Sequence, residues 1–81
     1  MRVKYVGVSF GIDSLTNGKE YEVIGVDKIS GALIVIDDSC EDYLYSPIHP
    51  RPLANSNHPG GIFEIVEDNE QHSLYNAIYA E

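Results

Sequence analysis

The chain has no tryptophan, one cysteine, and only five lysines and arginines among its 81 residues. Each shortage excludes something. A single cysteine, Cys40, rules out an internal disulfide, so the fold must rest on packing. Its neighbours Ser39 and Glu41 make the setting electronegative, which disfavours a thiolate and with it a reactive role. Four of the five cations (Arg2, Lys4, Lys19, Lys28) lie in residues 1–36, where four acidic groups balance them. Arg51 alone faces nine acidic residues from 37 to 81, so the whole net charge of −8 falls in the second half. Phosphate contacts need clustered Lys and Arg, and direct nucleic-acid binding is therefore disfavoured. The longest apolar run, residues 32–36, is five residues, far short of the roughly 20 that span a bilayer. Met1-Arg2-Val3-Lys4 leads directly into an alternating segment with no apolar leader. The expectation is a cytoplasmic protein that does not engage membranes.

Motifs that carry chemistry are equally scarce. Asp37-Asp38 and Glu41-Asp42 cluster acidic groups, but without the alternate ligands, central Gly and terminal Glu of a calcium loop. His49, His58 and His72 have no partner at zinc-ligand spacing. No Gly-x-Ser-x-Gly elbow accompanies the serines, and Gly60-Gly61 lacks the Lys-Ser/Thr of a phosphate loop. At 9.0 kDa the chain should bury about 60–65% of its unfolded surface, enough for one modest core and no deep cavity. No enzymatic activity, no cofactor and no metal are expected.

What is there is a rhythm of turns and strands. Arg2-Val3-Lys4-Tyr5-Val6 alternates polar and apolar residues and reads as a first strand. Residues 7–15 form a looser excursion or irregular hairpin. Asn17-Gly18 is a turn signal, because glycine accepts the positive φ that side chains resist. A second strand follows over residues 20–27, with Tyr21 and Val23 on one face. Lys28-Ile29-Ser30-Gly31 closes a hairpin into a third strand, 32–37, apolar on both faces as a central strand should be. Asp37-Asp38-Ser39-Cys40 turns again into a fourth strand, 41–46. There Tyr43 and Tyr45 share one face and Leu44 takes the other; with Leu44 inward, the two tyrosines point outward. Ile62-Phe63-Glu64-Ile65-Val66 reads as the closing strand. The fold class is all-β, with five strands in a domain spanning residues 1–67.

Two appendages interrupt this economy. Residues 47–61 hold all four prolines and no periodicity, and an unstructured stretch of that length is usually functional or mobile. Pro47-Ile48-His49-Pro50-Arg51-Pro52 suits an extended conformation, either as a stiff strap or as a binding loop through Pro50 and Arg51. Residues 68–81 change to a helical pattern, with Asp68 and Gln71 approximating a capping box. Leu74 and Ile78 lie on one stripe of that helix, Tyr75 and Tyr79 on the next. About twelve helical residues are marginal alone, so the tail must dock on this domain or on another subunit.

Five short strands with a long first connection and tight later turns describe an SH3-like barrel. The chain also resembles a group of very small, functionally unassigned proteins of Gram-positive bacteria and their phages. The resemblance rests on Leu15-Thr16-Asn17-Gly18-Lys19 with Tyr21 and Val23, on Asp37-Asp38-Ser39, on Glu41-Asp42-Tyr43-Leu44-Tyr45, and on Phe63-Glu64-Ile65-Val66. It covers residues 2–46 and 62–67; the proline-rich insert and the tail depart from the group. The resemblance implies a fold and a bacterial, prophage or mobile-element origin, and brings no activity. Recognition of proline-rich peptides in the manner of SH3 domains uses a tryptophan that this chain lacks. The expected function is a non-enzymatic protein-interaction module binding through Tyr43 and Tyr45, through Pro50 and Arg51, or through Leu74 and Ile78, the last with a possible homo-oligomer. The alternative is an acidic inhibitor that occupies a basic, nucleic-acid-binding surface of a target protein.

Overall fold

The computed structural model describes residues 1–11, 14–51 and 57–79. Five antiparallel strands and one short helix follow in chain order: β1 (Arg2–Gly7), β2 (Glu20–Val26), β3 (Leu33–Ile36), β4 (Asp42–Tyr45), β5 (Gly61–Glu67) and α1 (Ser73–Tyr79). They form one unclosed sheet in the order β4-β3-β2-β1-β5. The strands expected from alternation and turn chemistry are all present, within two residues at each end.

β2 serves two neighbours in succession. Its first half pairs with β1 through Arg2↔Glu22, Val3↔Tyr21 and Lys4↔Glu20. Its second half pairs with β3 through Val23↔Val35, Gly25↔Ile34 and Val26↔Leu33, with a register shift between Val23 and Gly25. Such a bulge bends the strand and sharpens its twist, which wraps the two halves of the sheet around one core. In the first connection Phe10 and Leu15 form an isolated antiparallel bridge.

Alternation dictates which residues enter that core. Val3 and Tyr5 of β1, Tyr21 and Val23 of β2, Leu33 and Val35 of β3, and Phe63 of β5 are all buried, joined by Phe10, Leu15 and Leu74. Aromatic rings fill its middle. Tyr5 meets Phe10 edge-on at 5.7 Å and Phe63 at 6.1 Å, while Tyr45 lies 6.4 Å from Phe63. These are the separations at which edge-to-face pairs contribute beyond area alone.

The tail docks on its own domain. Leu74 is fully buried in the core, with Ala77 and Ile78 packed against it. The helix is shorter than expected, and its cap differs from the expected box. Asp68 does not work with Gln71; it reaches forward, accepting from the amides of Leu74 at 2.9 Å and Tyr75 at 3.0 Å. Asn69 adds a bond from the Ser73 amide at 2.9 Å. The physical reason is His72, whose φ of 57° breaks the chain direction between Asp68 and the first helical turn. No described helix is long and apolar enough to cross a membrane.

Candidate functional site

The β3–β4 hairpin closes with Asp38, Ser39 and Cys40 as a three-residue loop. The Asp37 amide donates to the Glu41 carbonyl at 3.2 Å, and the Cys40 amide to the Asp37 carbonyl at 3.0 Å. Cys40 sits at φ 66°, the left-handed position on which such loops end. The two aspartates then face different ways. Asp37 is buried, where its Oδ1 accepts from the Ser39 amide at 2.9 Å and from the Ser39 hydroxyl, and its Oδ2 from the Tyr45 hydroxyl at 2.6 Å. Asp38 reaches across to the first connection. It accepts from Lys19 Nζ at 2.6 Å, Thr16 Oγ1 at 2.7 Å and the Tyr21 hydroxyl at 3.0 Å, while its amide donates to the Ser14 carbonyl at 3.0 Å. The Tyr21 oxygen in turn accepts from the Thr16 amide at 2.7 Å.

This network is a clasp between two turns that lie about twenty residues apart in the chain. Its electrostatics fit that role. Burial pushes the Asp38 carboxyl up, but the bonds from Lys19, Thr16 and Tyr21 outweigh it and hold the group below its ordinary value. Lys19 is raised by the same bond to Asp38. Tyr45 is pushed well above the ordinary tyrosine range by burial first and then by its bond to Asp37. Among the described residues no buried side-chain nitrogen or oxygen lacks a partner. The hydroxyls and carboxylates of Thr16, Tyr21, Asp37, Asp38, Ser39 and Tyr45 thus act on one another.

β4 is an edge strand, and its faces differ from the conditional sequence reading. Register pairs Leu33 with Tyr45, Ile34 with Leu44, and Val35 with Tyr43. Leu33 and Val35 are core residues, so Tyr43 and Tyr45 share the inward face and Leu44 points out. Tyr45 packs against the core, 6.3 Å from Phe10. Tyr43, at the strand's outer end, stays 51% exposed, with its hydroxyl 3.1 Å from Glu41 Oε2. Leu44 is 56% exposed and was absent from the sequence-based candidates. The only signal for it was the hairpin register, because β3 is apolar on both faces and does not declare which one is buried.

The other candidates are scattered. Pro50 is buried and its carbonyl accepts from the Gly61 amide at 3.1 Å, while Arg51 is exposed. Gly60, at φ 61°, lies so close to the Pro50 carbonyl and the Arg51 Cβ that a Cβ there would collide. His49 Nε2 donates to the Pro59 carbonyl at 2.6 Å, and His58 Nδ1 accepts from the Gly60 amide at 2.8 Å. The described parts of the insert are therefore strapped to the start of β5; residues 52–56 of the proposed segment lie outside the described residues. Leu74 is a core residue and is not available to a partner. Ile78 is half-buried and lines a shallow cleft with Pro47, Ile48, Ile62, Phe63 and Tyr79. Tyr75 and Tyr79 lean together at 5.0 Å on the exposed side.

The acidic surplus is dispersed. Of the nine acidic residues after position 36, Asp37 and Asp38 belong to the clasp and Asp68 to the helix cap. Glu64 lies opposite Lys4 in the sheet register, and Glu67 opposite Arg2. Glu41 and Asp42 stand together at the hairpin end of β4, both exposed. Among the described residues no group of three or more His, Cys, Asp or Glu converges as a metal site. No family model, no curated protein and no solved structure matches the chain.

Proposed function

We propose that the chain is a non-enzymatic protein-interaction module of SH3-like fold, and that its contact surface is the margin of the sheet at β4. The fold reading is supported by the strand order and by β2, which passes from β1 to β3 across a bulge. The observation that carries the functional reading is the direction of the polar chemistry. Thr16, Lys19, Tyr21, Asp37, Asp38 and Ser39 are engaged with one another or with Tyr45, while Tyr43 and Leu44 stand exposed beside them on an edge strand. A small domain that keeps its reactive groups engaged internally and its apolar groups outside is suited to binding rather than to chemistry. The dispersal of the carboxylates favours this over the acidic inhibitor, which needs a contiguous acidic face.

The test is affinity capture from cells that carry the gene, with wild type, a Tyr43→Ser/Leu44→Ser double variant and an Ile48→Ser/Tyr79→Ser double variant as baits. A partner retained by the cleft variant and lost from the β4 variant supports the reading. A partner retained by the β4 variant, with the fold intact by circular dichroism, overturns the location. Capture that collapses steeply with salt and ignores Leu44 would return the acidic inhibitor to first place.

A further inference from the structure

An unclosed sheet has two edges, and here they are not equivalent. At β5 the outward amide of Gly61 is bound by the Pro50 carbonyl, and Pro47, Ile48, Ile78 and Tyr79 gather against Ile62 and Phe63. The insert thus covers that edge at its Gly61 end, where Ile78 and Tyr79 of the tail also approach. At β4 the ladder with β3 begins from the Asp37 amide and the Glu41 carbonyl and continues through Val35↔Tyr43 and Leu33↔Tyr45. Hydrogen-bonded pairs alternate along an antiparallel ladder. The backbone of Tyr43 and Tyr45 therefore turns toward β3, and the N–H and C=O of Asp42 and Leu44 turn outward. Among the described residues nothing bonds them on that side. The strand stops where the Ser46 hydroxyl accepts the amides of Ile48 and His49, so the open edge is short and bounded.

We propose that this open edge of β4 takes an added strand: an extended segment of a partner protein with alternating apolar residues and a Lys or Arg opposite Asp42. The proposal rests on the reading of β4 as the contact surface and adds how the contact is made. Strand addition supplies affinity through the backbone and selectivity through alternate side chains. The side chains decide the occupant. Leu44 is exposed next to half-buried Ile34 on the outer face, an apolar seat for the segment's own apolar residues. Glu41 and Asp42 stand at one end with no cation within ion-pair distance among the described residues, so a basic residue is the complement there. A second copy of this chain is disfavoured by the same groups. Pairing β4 with β4 would bring two molecules of net charge −8 together over a strand of four residues. An acidic residue on a short edge strand is a known protection against self-pairing.

The experiment is a titration followed by two-dimensional amide NMR, with the capped peptide KVTVKV as probe and EVTVEV as its acidic twin. Leu44→Ala and Leu44→Pro are compared, since both lose the side chain and only proline loses the outward N–H; proline is tolerated at an edge position whose N–H is not in the ladder. KVTVKV should shift the amides of Asp42 and Leu44, and its binding should weaken several-fold between about 50 and about 300 mM salt. Leu44→Pro should bind at least about tenfold more weakly than Leu44→Ala, a loss of about 1.4 kcal/mol. N-methylation of alternate peptide amides should abolish binding to the unaltered protein, which keeps the test valid even where Leu44→Pro perturbs the strand. Equal binding of the acidic twin, equal binding by the two Leu44 variants, or no shift at millimolar peptide overturns the proposal. Shifts confined to Ile48, Ile62 and Tyr79 overturn it and move the contact surface to the cleft. Shifts at Tyr43 and Leu44 that survive N-methylation leave β4 as the surface but remove strand addition. Self-association through β4, lost in Leu44→Pro, would replace the peptide with a second copy and so counts against it.

Discussion

The two turns joined by Asp38 and the two appendages that flank β5 in the chain are held by different physics. The clasp between residues 14–21 and 37–45 is a polar network of charged and hydroxyl side chains at 2.6–3.0 Å. The insert is held by backbone bonds from the Gly61 amide to the Pro50 carbonyl and from the Val8 amide to the Gly60 carbonyl, and the tail by an apolar anchor, Leu74. The difference teaches where stability resides. A clasp of charge-assisted bonds fixes geometry and contributes modestly, because each bond replaces one to water. A buried leucine contributes its full transfer and packing terms. The tail is therefore part of the fold, and a domain this small depends on it.

The largest effect should come from the appendage side. Leu74→Ala should destabilise by about 3 kcal/mol, since it removes a fully buried side chain and leaves a cavity. In a marginal domain that is a large share of the total, and urea titration should register it as a lower midpoint with an unchanged slope. Deleting residues 68–81 sharpens the same point. Light scattering should report a monomer that unfolds more readily rather than an oligomer losing mass, because Leu74 fills this chain's own core. A stable truncated domain would break the comparison.

The clasp should yield next. Asp38→Ala should cost about 2 kcal/mol through loss of bonds to a charged acceptor, and Tyr45→Phe about 1 kcal/mol by the same rule. The pH dependence follows from the directions of the shifts. Asp38 and Asp68 are both lowered in the folded state, so their contribution is fully present above the ordinary carboxylate range and is lost as pH falls through their folded values. Stability should therefore decline below about pH 4, and less steeply in Asp38→Asn. Tyr45 has the opposite sign. Its raised value gives a contribution present below the ordinary tyrosine value of about 10 and lost as pH climbs above it. Thermal melts across pH check both limbs; an Asp38→Asn profile that overlays wild type would remove the clasp from the account.

The same contrast explains what could be read in advance. Asn17-Gly18, Asp37-Asp38-Ser39 and the alternation of β1 and β2 are local signals, and local signals reach the sequence intact. The partners of Asp38 do not, because Thr16, Lys19 and Tyr21 come to it only once β2 and β3 are paired. Leu44 was hidden for a related reason. Its face depends on the register of β4 against β3, and Ile34 and Ile36 look as buried as Leu33 and Val35 in a strand of four apolar residues. The cap of α1 departs from the capping box its spacing suggests, because His72 interrupts that spacing. Pro50 could be recognised as stiff but not as buried, since the Gly60 and Gly61 backbone that covers it lies ten residues on.

Cys40 offers the smallest effect and the finest probe of the clasp. The three-residue loop demands a left-handed residue at its end, and glycine or asparagine is the usual choice because Cβ crowds the carbonyl there. This chain places cysteine at φ 66°, exposed, and no described hydrogen bond involves its side chain. Relief of that crowding favours glycine by about 1–2 kcal/mol, and the greater freedom of glycine in the unfolded chain returns about 0.5–1 kcal/mol. Cys40→Gly should thus stabilise the domain by about 0.5–1 kcal/mol, while Cys40→Val, β-branched and more crowded, should destabilise it. In an Asp38→Ala background the gain from glycine should shrink, because a loop no longer tied to Thr16 and Lys19 can relax its own strain. A double-mutant cycle in urea measures that coupling. A gain of the same size in both backgrounds would mean that the hairpin loop is set by β3 and β4 alone, and that the clasp merely rests on it.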